Sequence, residues 1–169
     1  MAILKGSDMD DINELAAQVG QALQAKNLLL VTAESCTGGG VAQAITEIAG
    51  CSEWFDCGFI TYSIDSKTEM LDISDALIAQ HGAVSEEIAG AMAEGALANS
   101  SAHIALSTTC IAGPTGAVPG KPVGTACFGW SMHGKTHTER LVFSGDRHAV
   151  REQTVRHSLK GLLRFLKEA

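Results

Sequence analysis

A short apolar run that ends in a glycine-rich segment, and is followed by helical periodicity, constrains the fold of this chain more than any other feature. Residues 28–33 are apolar and β-prone, and residues 34–40 read Glu-Ser-Cys-Thr-Gly-Gly-Gly. Val41, Ile45 and Ile48 then recur at the spacing of one helix face. The pattern predicts a strand, a tight turn and a helix, which is the repeating unit of folds built on a parallel sheet.

Strands and helices continue to alternate along the rest of the chain. Apolar residues at positions 12, 15, 19 and 23 predict an opening helix, and Ser85 with two glutamates after it predicts the start of a central one. Further strands are predicted at 58–63 and 104–109, and a late β-hairpin at 123–143 precedes a closing helix. We therefore expect an α/β fold, a three-layer α/β/α sandwich on a mostly parallel, mixed sheet with one antiparallel strand.

Size and composition are typical of one globular domain, which we expect to span residues 1–169. The chain is 46% hydrophobic and 18% charged, and 169 residues can bury a core without disulfides or a structural metal. Aromatic residues make up only 5% and the net charge is -7, so no nucleic-acid partner is expected. All the arginines follow residue 139, in a basic C-terminal part that complements an acidic first hundred residues.

Cysteine usage and hydropathy indicate a cytoplasmic protein with reduced thiols. The five cysteines are an odd number and include no Cys-x-x-Cys pair. The chain starts without the apolar core of a signal peptide, and no apolar run reaches the roughly 18 residues that span a bilayer. We expect no membrane partner, no cofactor and no metal, since His133 and His137, which have ligand-like spacing, lie in the predicted hairpin.

Ser35 is the first candidate for catalysis, because ligands of α/β sheets bind where parallel strands end. It directly follows the first predicted strand, beside backbone N–H groups that could bind an oxyanion. No histidine lies at a predicted strand end, whereas Lys67 follows the second strand by four residues and could reach the same edge. A lysine acts as a base only when neutral, so its pKa must fall from about 10.4 towards 7 or 8. Tyr62, in the end of that strand, could relay a proton or orient the pair.

Three other interpretations are open on these residues alone. Ser35 and Thr37 could merely cap the helix, and Cys36, beside Ser35, could be the nucleophile instead. The chain could also be a non-catalytic module that binds a small phosphorylated ligand. The glycines of the loop 113–121, together with Lys121 and Arg147, would supply backbone N–H groups, a point charge and a planar guanidinium for such an anion.

A set of motifs extends over nearly the whole chain from about residue 10. The motifs are Thr32-Ala-Glu-Ser-Cys-Thr-Gly-Gly39, Thr61-Tyr-Ser63, Lys67, Gln80-His-Gly-Ala-Val-Ser85, Ile111-Ala-Gly-Pro114, Lys121-Pro-Val-Gly-Thr125 and Phe143-Ser-Gly-Asp-Arg147. Together they resemble the CinA C-terminal domain family. For a stand-alone domain the resemblance implies a metal-independent amidohydrolase that converts nicotinamide mononucleotide (NMN) to nicotinate mononucleotide and ammonia in pyridine-nucleotide recycling.

The resemblance also implies roles for individual residues. Matched position by position, Ser35 is the nucleophile and Lys67 the base of a Ser/Lys dyad that forms an acyl-enzyme, with Tyr62 beside them. A homodimer or larger homo-oligomer is expected. The residues that the resemblance assigns to the substrate pocket are Cys36, Thr37, Gly38, Gly39, Ser63, Thr109, Ala112, Gly113, Pro114, Lys121 and Arg147.

Three positions depart from the family pattern. Ile64 stands where Asn is common, Cys110 stands where Gly is common, and Ala117 replaces the second residue of a Gly-Gly pair. Loss of an amide removes a donor and an acceptor, and loss of glycine limits the backbone near the expected pocket. A paralogue with altered specificity, or one that binds a pyridine nucleotide without turnover, is therefore the alternative to an active amidase.

Overall fold

The computed structural model describes the backbone of residues 7–169 and the side chains of residues 11–169. Its sheet has five strands in the order β2-β1-β3-β4-β5. The strands are β1 (Leu30–Glu34), β2 (Phe55–Ile60), β3 (Ile104–Cys110), β4 (Thr125–Met132) and β5 (Lys135–Val142). The helices are α1 (Ser7–Ala25), α2 (Gly40–Thr46), α3 (Ile64–Leu71), α4 (Asp75–His81), α5 (Glu86–Ala98) and α6 (Arg147–Glu168), and a 3-10 helix covers Cys51–Glu53.

Among the five strands, β4 alone runs against the direction of the others. Strand β1 pairs in parallel with β2 on one side and β3 on the other, so that Ala33 lies between Phe59 and Ser107. Strand β4 pairs antiparallel with both β3 and β5. The expected mixed sheet with one antiparallel strand is confirmed, and β4 and β5 form the expected late hairpin.

Helices cover both faces of the sheet and divide the core in two. Leu30 and Ile104 pack with α1, α2 and α6, whereas the next residues along the same strands, Val31 and Ala105, pack with the helices α3 to α5. Every residue of β1 is buried, because helices cover both faces of the sheet. The sequence of this strand therefore does not alternate between apolar and exposed polar residues. The three-layer sandwich is thereby confirmed. No helix in the described part of the chain is long and apolar enough to cross a bilayer.

One glycine brings the closing helix close to the sheet. A Cβ atom at Gly161 of α6 would lie 2.0 Å from the ring of Trp130, which leaves no room for any other residue. The Trp130 indole N–H donates to the Ser158 carbonyl one turn earlier, at 3.1 Å. Trp130 is fully buried, so this contact fixes α6 against β4 and positions the residues at the start of the helix.

The second strand begins and ends earlier than the sequence predicts. It was expected at 58–63 but covers Phe55–Ile60, and the backbone N–H of Thr61 makes the last bond to β1, to the Glu34 carbonyl at 2.8 Å. Ser63 then caps α3, because its hydroxyl accepts from the backbone N–H of Ser66. Tyr62 consequently lies in the three-residue connection 61–63 between strand and helix, rather than in the strand.

The expectation of reduced thiols is wrong for two of the five cysteines. Cys36 and Cys110 form a disulfide, although 74 residues separate them in the chain. The cause is the topology, because both residues lie at the same end of the neighbouring parallel strands β1 and β3, with a Cα–Cα distance of 5.5 Å. Cys51, Cys57 and Cys127 are free.

Candidate active site

A cavity of about 220 Å³ opens where the parallel strands end. Its lining brings together residues that are far apart in sequence: Ser35, Cys36, Tyr62, Lys67, Ala83, Val84, Thr109, Cys110, Ala112 and Arg147. Two larger cavities, of about 500 and 430 Å³, lie elsewhere, and Ser35 and Lys67 line neither of them. Of these three cavities, the smallest is therefore the one that contains the candidate nucleophile and base.

Ser35 and Lys67 are in direct contact inside this cavity. The distance between Lys67 Nζ and Ser35 Oγ is 3.0 Å, and Lys67 Nζ also donates to the Thr61 carbonyl at 2.5 Å. Lys67 is only 1% exposed, and this burial lowers its pKa from 10.5 to about 8. A fraction of the lysine is therefore neutral near pH 7, as a general base requires.

A buried carboxylate fixes the turn that carries Ser35. Glu34 is 1% exposed, and its Oε1 accepts from the Thr37 hydroxyl at 2.6 Å and from the backbone N–H of Val41 at 2.8 Å. The Thr37 hydroxyl also contacts that of Thr108 on β3, at 2.8 Å. Glu34 thus ties the end of β1 to both the turn and the start of α2.

Arg151 holds the same turn from the other side. Its Nε donates to the Cys36 carbonyl at 2.9 Å, and its Nη2 donates to the Thr37 carbonyl at 3.2 Å. Arg151 is therefore half-buried against this turn rather than freely exposed to solvent. A guanidinium that binds two successive carbonyls restrains the peptide groups whose N–H atoms lie next to the nucleophile.

The backbone donors expected to bind an oxyanion are only partly available. Ser35 does not lie at the first turn of α2, which begins five residues later, and the Gly38 N–H is already bonded to the Ser35 carbonyl at 3.1 Å. Within residues 7–169, the backbone N–H groups of Cys36 and Thr37 make no hydrogen bond. Cys36, which lines the cavity, therefore supplies the donor nearest to the nucleophile.

Arg147 and Tyr62 form the outer rim of the cavity. Arg147 Nη1 donates to the Gly113 carbonyl at 2.8 Å, and Nη2 donates to the Tyr62 hydroxyl at 3.3 Å. The Asp146 carboxylate caps α6 by accepting from the Ala149 N–H. In the described part of the chain, Tyr62 makes no hydrogen bond to Ser35 or Lys67, and its side chain is exposed.

The structure brings together part of the expected substrate-binding set. Cys36, Thr109, Ala112 and Arg147 line the cavity with the dyad. Lys121 does not, because its Nζ donates to the His81 carbonyl at 2.7 Å. The other expected residues that are not in the lining are Thr37, Gly38, Gly39, Ser63, Gly113 and Pro114.

Three lining residues, Ala83, Val84 and Cys110, were not predicted as site residues. Ala83 and Val84 belong to the connection between α4 and α5 and close one side of the cavity. The Thr109 hydroxyl donates to the Ala83 carbonyl at 2.9 Å and holds this connection against β3. The motif Gln80 to Ser85 was the available signal for Ala83 and Val84, although its apolar residues carry no chemistry of their own.

The family model for the CinA C-terminal domain matches residues 12–166 of this chain. The chain belongs to the CinA C-terminal domain family. Members of this family include the nicotinamide-nucleotide amidohydrolase PncC of Pseudomonas putida, which is 47% identical over 157 residues, 93% of this chain and 98% of that protein. The PncC protein of Escherichia coli is 48% identical over 153 residues, which cover 90% of this chain and 93% of that one.

Solved structures of CinA proteins share the fold. The crystal structure of the competence/damage inducible protein CihA from Agrobacterium tumefaciens matches with a TM-score of 0.90 at 38% identity, and the match covers 99% of each chain. The five-stranded mixed sheet with helices on both sides is thus the architecture of this superfamily.

The three departures from the family pattern have unequal positions relative to the cavity. Ile64 is 53% exposed at the start of α3, and Ala117 is exposed in the proline-rich loop; neither lines the cavity. Cys110 does line it, and its sulfur is bonded to Cys36. Of the three substitutions, Cys110 alone is in a position to alter the chemistry of the site directly.

Proposed function

We propose that this protein is an amidohydrolase that deamidates NMN to nicotinate mononucleotide and ammonia. The observation that carries the proposal is the buried contact between Lys67 Nζ and Ser35 Oγ, at 3.0 Å, in a cavity at the carboxyl ends of the parallel strands. The relatives named nicotinamide-nucleotide amidohydrolase, at 47% and 48% identity over most of the chain, support an amidase with this substrate.

Acylation begins with proton transfer from Ser35 to Lys67. Neutral Lys67 accepts the hydroxyl proton while Ser35 Oγ attacks the carboxamide carbon, which forms a tetrahedral oxyanion. The backbone N–H of Cys36, which has no partner within the described residues, donates to this oxyanion. The protonated Lys67 then gives its proton to the leaving nitrogen, so that ammonia departs and an ester to Ser35 remains.

Deacylation reverses these roles with water. Lys67, neutral again, takes a proton from a water molecule that attacks the ester, and returns it to Ser35 Oγ as nicotinate mononucleotide leaves. The Thr61 carbonyl holds Lys67 Nζ in place during both half-reactions. The substrate phosphate lies toward Arg147, whose guanidinium is at the rim and is suited to a planar, bidentate contact with phosphate oxygens.

Three details of the sequence-based mechanism change. Tyr62 donates no proton in this scheme, because within the described residues its hydroxyl contacts Arg147 and neither Ser35 nor Lys67, and it serves as a wall for the substrate instead. Ser35 rather than Cys36 is the nucleophile in this scheme, because Ser35 Oγ is the atom in contact with Lys67 Nζ. Lys121 drops out of the phosphate site, since its amine binds the His81 carbonyl.

The direct test is an assay of purified protein with NMN, under reducing conditions, for ammonia and the acid product. We expect turnover by the wild type, and a loss of at least about 100-fold in Ser35→Ala and in Lys67→Met. Cys36→Ser is the comparison that separates the two possible nucleophiles and should remain active. Saturable NMN binding without turnover by the wild type would instead identify a binding module.

Three further expectations belong to this proposal. We propose a cytoplasmic protein that acts as a single domain over residues 1–169 and assembles into a homodimer or larger homo-oligomer. Exposed apolar side chains such as Ile60, Met70 and Val142 are candidates for the contact between copies. Light scattering on the purified chain measures the assembly state.

A further inference from the structure

We propose that Cys36 and Cys110 form a redox modification site, at which a low-molecular-weight disulfide closes the substrate pocket and a low-molecular-weight thiol reopens it. The inference rests on the proposed function, because the pocket in question is the one that holds Ser35 and Lys67.

The first support is where the two cysteines lie. Cys36 is the residue after the nucleophile, and Cys110 is the last residue of the neighbouring strand β3; both line the cavity. Their Cα atoms are 5.5 Å apart, within the range that a disulfide bridges without backbone movement. The cross-link therefore joins the turn that carries the nucleophile to the end of β3 at the cavity.

The second support is the size of the cavity in the cross-linked form. It measures about 220 Å³, whereas sites for small molecules usually enclose roughly 300 to 1,000 Å³. The cross-linked cavity is therefore smaller than most small-molecule sites, and a covalent bond between Cys36 and Cys110 opposes any widening of this part of its lining. The dyad itself is intact in the cross-linked form, so the effect falls on substrate entry rather than on Ser35 or Lys67.

Reduction leaves the nucleophile in place. Glu34 holds Thr37 through its carboxylate, and Arg151 holds the carbonyls of Cys36 and Thr37. These bonds do not involve the Cys36 sulfur, so breaking the disulfide removes the covalent restraint between Cys36 and Cys110 without releasing the turn. In a reducing compartment such as the proposed cytoplasm, a disulfide is typically transient and regulatory rather than structural.

The reaction is a balanced thiol–disulfide exchange. The thiolate of one cysteine attacks a sulfur of a disulfide such as oxidised glutathione, which forms a mixed disulfide and releases one thiolate. The second cysteine then attacks the protein sulfur of that mixed disulfide and releases the second thiol. Two protein thiols are oxidised and one small disulfide is reduced to two thiols, and a thiol such as reduced glutathione reverses both steps.

The other cysteines provide matched controls. Cys127 is buried, and burial raises the pKa of its thiol to about 11, which suppresses the reactive thiolate. Cys57 is half-buried, and burial together with the neighbouring Asp56 raises the pKa of its thiol. Substitution of Cys57 therefore tests whether the change of activity on oxidation depends on Cys36 and Cys110 specifically or on any cysteine of the chain.

The experiment measures kcat/KM for NMN in full-length protein equilibrated with oxidised or reduced glutathione, with the Cys36–Cys110 peptide quantified by mass spectrometry. We expect oxidation to lower kcat/KM at least about tenfold in the wild type and in Cys57→Ser, and dithiothreitol to restore it. The ratio of reduced to oxidised activity should be near one in Cys110→Ser. The proposal would be overturned if wild-type protein that is shown to be cross-linked keeps its full kcat/KM. It would also be overturned if Cys110→Ser loses as much kcat/KM on oxidation as the wild type does.

A binding measurement separates this proposal from the proposed function. Calorimetric titration of Ser35→Ala with NMN should show that the oxidised form binds NMN at least about tenfold more weakly than the reduced form, as expected for kcat/KM. If the wild type does not turn over NMN but this difference is present, the proposed function fails and the modification site stands. Equal affinity in the two forms, or no binding in either, would overturn the modification site.

Discussion

Replacement of Lys67 by methionine should remove activity and alter stability in a way that depends on pH. The burial of Lys67 lowers its pKa from 10.5 to about 8, so keeping the lysine charged at pH 7 costs the folded state about 3 kcal/mol. Methionine avoids that cost but loses the bonds to Ser35 Oγ and the Thr61 carbonyl, worth about 1.5 to 3 kcal/mol each for a charged donor. The variant should therefore be between equally stable and about 3 kcal/mol less stable than the wild type at pH 7.

The stability difference between the wild type and Lys67→Met should grow in alkaline solution. Between the folded pKa of about 8 and the unfolded value of 10.5, the unfolded chain binds more protons at Lys67 than the folded one. Stability of the wild type therefore rises with pH in that window, whereas the variant has no such group. Relative to Lys67→Met, the wild type should gain about 2 to 3 kcal/mol between pH 7 and pH 10.

Urea unfolding of the two proteins across that pH range measures the difference directly. Lys160→Met is the matched control, since Lys160 is an exposed lysine on α6. That variant should differ from the wild type by less than about 0.5 kcal/mol at every pH. A difference between Lys67→Met and the wild type that stays constant from pH 7 to pH 10 would refute the argument that Lys67 is held at a lowered pKa.

Three other predictions concern the pH optimum, the phosphate contact and the core. The kcat/KM for NMN should rise with pH to a half-maximal value near pH 8, where Lys67 loses its proton in the free enzyme, and a profile that is flat from pH 6 to pH 9 would contradict this. Steady-state kinetics should show that Arg147→Ala raises KM by at least about tenfold, from the loss of a charged hydrogen bond, while Lys121→Ala leaves KM unchanged. Gly161→Ala should destabilise the fold by about 1 to 3 kcal/mol in thermal unfolding, because the added Cβ would lie 2.0 Å from Trp130.

The Ser35–Lys67 contact was predictable because topology alone brings the two residues near each other. Ser35 follows β1 and Lys67 follows β2, and neighbouring parallel strands end at the same edge of the sheet. Tyr62 was placed in the strand because its β-prone neighbours continue the apolar pattern. The strand in fact ends at Ile60, because Ser63 caps α3 and the chain turns into the helix. The ends of strands and helices depend on such local hydrogen bonds and are hard to predict to the residue.

Two cations near the site differ in how far the sequence could predict their contacts. Arg151 lies four residues after Arg147 on α6, and residues at that spacing share a helix face, so its position close to the site could have been predicted from that of Arg147. Lys121 is different, because the path of a loop rich in glycine and proline is fixed by contacts such as the one to His81, which no local pattern encodes. The Cys36–Cys110 pairing is likewise a consequence of strand order, not of spacing in the chain.

The covalent intermediate is the most direct evidence for the Ser/Lys mechanism. Rapid quenching in acid of reduced protein with NMN, followed by mass spectrometry of its peptides, should reveal an acyl group derived from nicotinate mononucleotide on the peptide that contains Ser35. The adduct should be absent from Ser35→Ala and from Lys67→Met. Sustained turnover of NMN by Ser35→Ala, with no adduct on the wild-type peptide, would contradict the mechanism.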